Sequence, residues 1–471
     1  MNQSRRSFIR QSALASTAFG AFTISGTKSS GKVIGANDRI NVAVCGIKGR
    51  GAAHIGGHGR QKNVTISHLV DPDSSLYDGR KKFVASKFKN TPECVQDVRK
   101  ALDNKDVDVI SIATPNHWHS LMSIWACQAG KDVYVEKPLS HNIFEGGKLV
   151  EAAKKYGRIV QHGTQNRSIQ KWADQAKEIA AGKHGKLEVA LGPCHKRRGS
   201  IGFKNTEKPP SALDFDIWTG PAEKEDFHKN LVHYNWHWFW KYGNGDIGNQ
   251  GVHQMDIARW MIPGARWPKS VVSVGGRFGY KDQGETANTQ LTIFDYGDSL
   301  LVFDVRGLSG KSNMGVSNKT YFDKNASQKT SKSYDIKGIR NPLSDRGEGD
   351  IFENFIHAVR SRKTEDLNAH VYEGHVSSGL CHLANVSYQL GEKQGFNKKT
   401  NAFGNNKKAS EYFGRMKEHL KENGLKLEDT DYVVGRTLEF DSKTESIKGD
   451  DEANNLLTRN YRAPFVVPEK V

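Results

Sequence analysis

The chain has 471 residues, 36% hydrophobic and 26% charged, with 47 Gly and 13 Pro; this balance fits two or three globular domains and excludes disordered, collagen-like and membrane-embedded classes. No window approaches the roughly 20 apolar residues of a spanning helix, so no stable membrane insertion is expected. The formal charge is +17, but the basic residues are scattered without long runs, which reads as a solvated surface and argues against a nucleic-acid partner.

Residues 1–31 open the chain with Arg5-Arg6, then Phe8 and Ile9, a mildly apolar stretch from Ala13 to Ile24 and a Gly/Ser/Lys linker. This resembles a twin-arginine signal, so a periplasmic or otherwise exported location is expected, by a route that carries folded proteins. Cleavage there would remove four of the seventeen net positive charges, on Arg5, Arg6, Arg10 and Lys28.

From Ile40 to Cys45 the chain is apolar and β-rich, and Gly46-Ile47-Lys48-Gly49-Arg50-Gly51 follows at the start of a helical stretch. A glycine turn between strand and helix presents backbone N–H groups where a pyrophosphate can sit. Lys48 occupies the middle position where G-x-G-x-x-G carries its second glycine, and its ammonium could itself reach a phosphate. A second apolar run, Val64 to Val70, ends in Asp71, placed to accept from ribose hydroxyls and to repel a 2′-phosphate; this favours NAD over NADP. Runs from Val107 to Ala113 and from Asp132 to Val135 lead into Thr114-Pro115-Asn116 and Glu136-Lys137-Pro138, with helical stretches from Ser120 to Ala129 and Phe144 to Tyr156. Alternating buried strands and helices predict an α/β fold, a Rossmann-type doubly wound parallel sheet over 37–160 with its ligand at the carboxyl edge.

These residues resemble the Gfo/Idh/MocA oxidoreductases. The matching elements are the turn Gly46 to Gly51, Asp71, Ala113 to His119, Glu136-Lys137-Pro138-Leu139 and Gly248 to Asp256. The resemblance implies a second α/β domain over 161–395 with a large open, mostly antiparallel sheet, bound NAD, which export in the folded protein would require to be held tightly, a carbohydrate or polyol substrate and a homo-oligomer. It implies cofactor contacts from Gly46, Lys48, Gly49, Arg50, Gly51, Asp71, Thr114, Pro115, Asn116, His119, Glu136 and Lys137. Lys137 takes the role of the family's lysine, which reaches the nicotinamide and the reacting hydroxyl, with Pro138 following a cis bond. The family's Asp and His one helical turn apart correspond to Asn249 and His253. An amide orients a hydroxyl but takes no proton, so the base is assigned to His253 or Lys137. Asp256 is assigned no chemistry.

Arg167, in the crossover Gln161 to Arg167, could bind sugar hydroxyls or form an interdomain ion pair. The segment His233 to Tyr242 is the densest aromatic cluster; Trp236 and His237 are its candidate substrate contacts, with core packing as the alternative. His117 and His119, or His233 and His237, have ligand-like spacing, but no H-E-x-x-H is present and the five cysteines form no C-x-x-C pair, so no metal is assigned. Further on, strands are predicted from Thr289 to Phe294 and Ser299 to Val305 and a helix from Ser377 to Leu390. Residues 396–471 form a C-terminal extension of undetermined packing.

The expected reaction is hydride transfer from a sugar, glycoside or polyol to bound nicotinamide. Export removes the protein from any soluble NAD pool, which raises a redox-neutral alternative: a glycosidase, lyase or epimerase working through a keto-sugar. A carbohydrate-binding protein that merely retains NAD is the third reading.

Overall fold

The computed structural model describes residues 39–323, 329–332 and 350–471, with backbone alone at 329–332; the twin-arginine-like segment lies outside the described residues. β1 (Ile40–Cys45), β2 (Val64–Val70), β3 (Glu93–Val95), β4 (Val109–Ile112), β5 (Asp132–Val135) and β6 (Val160–His162) form a parallel six-stranded sheet in the order β3-β2-β1-β4-β5-β6. Successive residues of β1 enter different cores. Val42 and Val44 pack towards Phe352 and Phe355, whereas Ala43 and Cys45 belong with Trp118, Trp125 and Leu149. This two-sided burial explains why the predicted strands read as continuous apolar runs rather than alternating ones. Helices Asn116–Gln128 and Ile143–Lys155 cover one face. The other is shared by Arg50–Gly59 and by Ile351–Ser361, which returns from the second half of the chain and is capped by Asp350 Oδ1 on the Phe352 and Glu353 amides, each at 3.0 Å.

The second sheet has ten strands. β7 (Leu187–His195), β8 (Ser270–Gly276), β9 (Thr289–Asp295), β10 (Leu300–Arg306), β11 (Ser317–Phe322) and β12 (Lys329–Lys332) precede β13 (Glu392–Gly395), β14 (Asp431–Val434), β15 (Leu438–Asp441) and β16 (Ser446–Ile447). The main path runs β12-β11-β7-β10-β9-β8-β14-β13, with β15 also on β8 and β16 on β15. Pairing is antiparallel except between β7 and β10, so the sheet is mixed.

Helices Gly251–Trp260 and Val371–Gln389 pack one face of this sheet. The other is not bare: Val189, Leu191, Val272, Leu291 and Ile293 meet Tyr412, Phe413, Met416 and Leu420 of the tail helix Lys407–Glu422. The tail then crosses to the first domain, where Phe465 packs edge-on to Trp118 at 5.4 Å. The polar composition of residues 396–471 conceals this docking, because the helix spends its few aromatics on one stripe.

Candidate functional site

A cleft of about 1250 Å³ runs along the carboxyl ends of β1, β2, β4 and β5. Gly46 sits at φ +77°, and a Cβ there would come within 2.6 Å of the Ala113 carbonyl oxygen, so only glycine lets β1 and β4 turn this closely. Gly49 is the N-cap of Arg50–Gly59 with open space around it and no side chain capping the helix. The helix therefore offers free N–H groups to an anion. Arg80 braces the turn from behind, its Nε donating to the Ile47 carbonyl at 2.6 Å and its Nη2 to that of Lys48. Nothing in the sequence singles out Arg80, which lies 29 positions beyond Gly51 in the largely polar helix Tyr77–Phe88, where only Val84 is buried.

Asp71, at the end of β2, accepts from the amides of Ile47 at 2.9 Å and Asp73 at 3.0 Å. Burial raises its carboxyl to about 6 despite these two donors. The turn, the open helix end and this carboxylate with capacity for further donors fit the pyrophosphate and adenosine ribose of a nicotinamide dinucleotide. Beside it His233 Nε2 meets Asp73 Oδ2 at 2.8 Å, a pairing across the two domains that local spacing does not reveal.

Across the cleft, Glu136 collects Arg50 Nε at 2.6 Å and His54 Nε2 at 3.1 Å. Burial alone would raise Glu136, but Arg50 and His54 outweigh it and hold the carboxyl well below its ordinary range. The Lys137–Pro138 peptide is cis, and Lys137 Nζ donates to the Asn249 carbonyl at 2.8 Å. Burial lowers the Lys137 ammonium from its ordinary value against the pull of Glu136, with Arg50 and Lys196 adding to the shift. His119 holds this loop through contacts of 2.6 Å to the Pro138 carbonyl and 2.9 Å to that of Thr114.

Gly46, Lys48, Gly49, Arg50, Asp71, Thr114, Pro115, Asn116, His119, Glu136, Lys137, Asn249, Trp236 and His237 all line this cleft. Gly51 lies just inside the turn, where a Cβ would strike the Gly46 carbonyl oxygen. Trp236 and His237 are stacked with ring centroids 3.6 Å apart. His253 stands one helical turn beyond Asn249, outside the cleft lining, with Nδ1 buried and without a hydrogen-bond partner among the described residues. Burial, then Lys137, pushes it down to about 3, so it is a neutral imidazole at pH 7.

Arg167 is also outside the lining. Its Nε and Nη2 bind Asp256 Oδ1 at 3.0 and 2.9 Å, and it lies 4.7 Å from the Trp260 ring. Of the two readings it is an ion pair rather than a sugar ligand, but one formed within the second domain and not between domains; Ser377 and Arg259 complete the network around Asp256. Burial alone would raise Asp256, but Arg167 and Arg259 hold it at about 2. Asp256→Ala leaves the buried Arg167 and Arg259 to share the single carboxylate of Glu373, 3.3 Å from Arg167 Nη2 and also paired with Arg259; a loss of about 3 kcal/mol is expected in urea unfolding at pH 7. The native pairing is fully present above the ordinary Asp value near 4 and fades as pH falls towards 2, so the difference between the two proteins narrows in acid.

The parallel sheet, the switch between β1 and β4 and the cleft at that point define a dinucleotide-binding domain. The chain belongs to the Gfo/Idh/MocA family: residues 40–164 match its NAD-binding Rossmann domain and residues 198–421 its C-terminal α/β domain. Among curated relatives, a glycosyl hydrolase family 109 protein of Shewanella pealeana is 28% identical over 129 residues, 26% of this chain and 28% of that protein. The NAD(+)-dependent scyllo-inositol 2-dehydrogenase of Bacillus subtilis is 28% identical over 167 residues, 36% of this chain and 39% of that enzyme. The matches therefore span well under half of these relatives. The Bordetella pertussis WlbA dehydrogenase, solved with NADH and UDP-GlcNAcA, shares the fold with a TM-score of 0.56 at 17% identity, over 73% of this chain and 93% of that one.

Proposed function

We propose that this protein is an exported, NAD-dependent oxidoreductase acting on a sugar, glycoside or polyol. The observation that carries the reading is Lys137: a half-buried lysine, depressed by its surroundings, in the same cleft as the dinucleotide turn and the Trp236–His237 pair. A bound nicotinamide would supply the hydride acceptor. Lys137 Nζ, released from the Asn249 carbonyl, would hold the substrate hydroxyl and take or steer its proton; His253, neutral behind it, is the second acceptor. Asn249 orients a hydroxyl through its carboxamide. Trp236 and His237 close the site against water. The carboxylate of Asp71 supports NAD over NADP, because a 2′-phosphate beside it would meet like charge.

A redox-neutral variant, in which a glycoside is oxidised, cleaved and reduced again, is favoured by Asn249 in place of a carboxylate and by the family 109 glycosyl hydrolase relative. The twin-arginine-like start supports it too, since outside the cytoplasm the reaction must close on itself. The test is to purify the exported protein without added nucleotide, denature it and identify any nicotinamide released. Near-stoichiometric NAD or NADH supports a retained cofactor; an empty protein removes the argument for a closed cycle. Free protein should also bind NAD about tenfold more weakly at pH 5 than at pH 7. Below about 6 Asp71 is protonated, and ribose hydroxyls donate better to the carboxylate. Titration calorimetry on stripped protein reads this, and Asp71→Asn should flatten the profile.

A further inference from the structure

The aromatic segment His233 to Tyr242 serves two clefts. Trp236 and His237 face the first, whereas half-buried Trp240 lines a second, with about 1280 Å³ of free space, mouth included, where the two domains meet the tail. Asn244 is the partition. Its Oδ1 accepts from Asn116 on the cofactor side at 2.9 Å, and its Nδ2 donates to the His141 carbonyl at 2.9 Å. Asn385 and Gln389, on the helix Val371–Gln389 or at its end, form one wall; Asn455 and Arg459 of the tail form another.

Four buried polar atoms of this lining, His141 Nε2, Asn385 Oδ1 and Arg459 Nε and Nη2, have no hydrogen bond among the described residues. Asn385 is 4% exposed; its Nδ2 donates to the Asn244 carbonyl at 2.9 Å, but its Oδ1 has no hydrogen bond among the described residues. Arg459 donates Nη1 to the Lys241 carbonyl at 2.7 Å, and its Nη2 has none. Buried polar groups are rarely left open, and a hydroxyl satisfies both kinds, donating to a carboxamide oxygen and accepting from a guanidinium. The carboxamides of Gln389 and Asn455 each carry a donor and an acceptor side by side, matching adjacent hydroxyls, and the indole offers an apolar face to ring C–H groups. The charge of Arg459 is already faced by Glu145 Oε1, 3.7 Å from Nε, which favours a neutral ring over an acidic one.

We propose that this cleft is a second carbohydrate site, holding a neutral pyranose unit apart from the reacting centre. It stands whether or not hydride moves in the first cleft. The test is calorimetric titration of the full chain with maltohexaose, cellohexaose, xylohexaose, mannohexaose and chitohexaose. At least one should bind. For that sugar, Trp240→Ala and Asn385→Ala should each weaken affinity about tenfold or more, and Lys137→Ala should leave it unchanged. Asn455 is exposed, so Asn455→Ala leaves folding intact and should weaken binding about threefold, deciding the matter if the buried variants fail to fold. Absence of binding by any of the five, or binding lost in Lys137→Ala and kept in Asn455→Ala, overturns the proposal. The nicotinamide assay is unaffected by either outcome, so the two readings fail separately.

Discussion

Lys137→Ala is expected to lower turnover by about three orders of magnitude, within the range of a lost acid–base group, while nicotinamide content stays at the native level. The separation follows from geometry. The pyrophosphate end is built from backbone at Gly46 to Gly51 and from Asp71, none of which Lys137 hydrogen-bonds, whereas its Nζ is a half-buried cation held by the Asn249 carbonyl elsewhere in the same cleft. Lys137→Arg should not rescue activity: a guanidinium stays protonated at any working pH and is too wide for the space occupied by one ammonium. His253→Ala should also lower turnover, and the double variant should lose less than the product of the two, because both groups share one proton. The measurement is reduction of retained cofactor by a sugar or polyol substrate, followed by nicotinamide absorbance. Full activity in Lys137→Ala would remove this residue from the reaction.

The first domain is legible because its information is local. Each buried strand reads as an apolar run, each ends in a loop with its own signature, and strand order places all four loops at one edge. What is not legible depends on contacts between distant residues. Arg80 has no motif, because its task is to meet two carbonyls that only the fold brings near. Arg167 looks like a ligand fork in sequence, and Asp256, 89 positions away, turns it into an ion pair. The aromatic run from His233 to Tyr242 could be read as core or as sugar platform; in the folded chain neighbouring rings face different clefts. Polar composition hid the tail for a related reason: burial of one helical stripe needs only a few large residues, and their effect is diluted in an average over 76 positions.

A chain ending at Gly395 should not accumulate as soluble protein. Such a truncation deletes β14, which sits between β8 and β13, and strips the sheet of Phe403, Tyr412, Phe413, Met416, Leu420 and Tyr432. Buried side chains of this size contribute roughly 1.5–3 kcal/mol each, so together they rival the about 5–15 kcal/mol net stability of a typical domain. The uncovered face would be a broad apolar surface of Val, Leu and Ile, which in a monomer leads to aggregation. Milder variants give the same direction without removing a strand: Phe413→Ala should cost about 3–5 kcal/mol in urea unfolding. The truncation also tests the family-based expectation of a homo-oligomer, because two copies pairing through this face would first have to displace the helix Lys407–Glu422. Light scattering on any soluble fraction distinguishes the cases. A well-behaved dimer of the shortened chain would mean that the tail shields a surface competent to pair, whereas heterogeneous aggregate would mean that it completes the core.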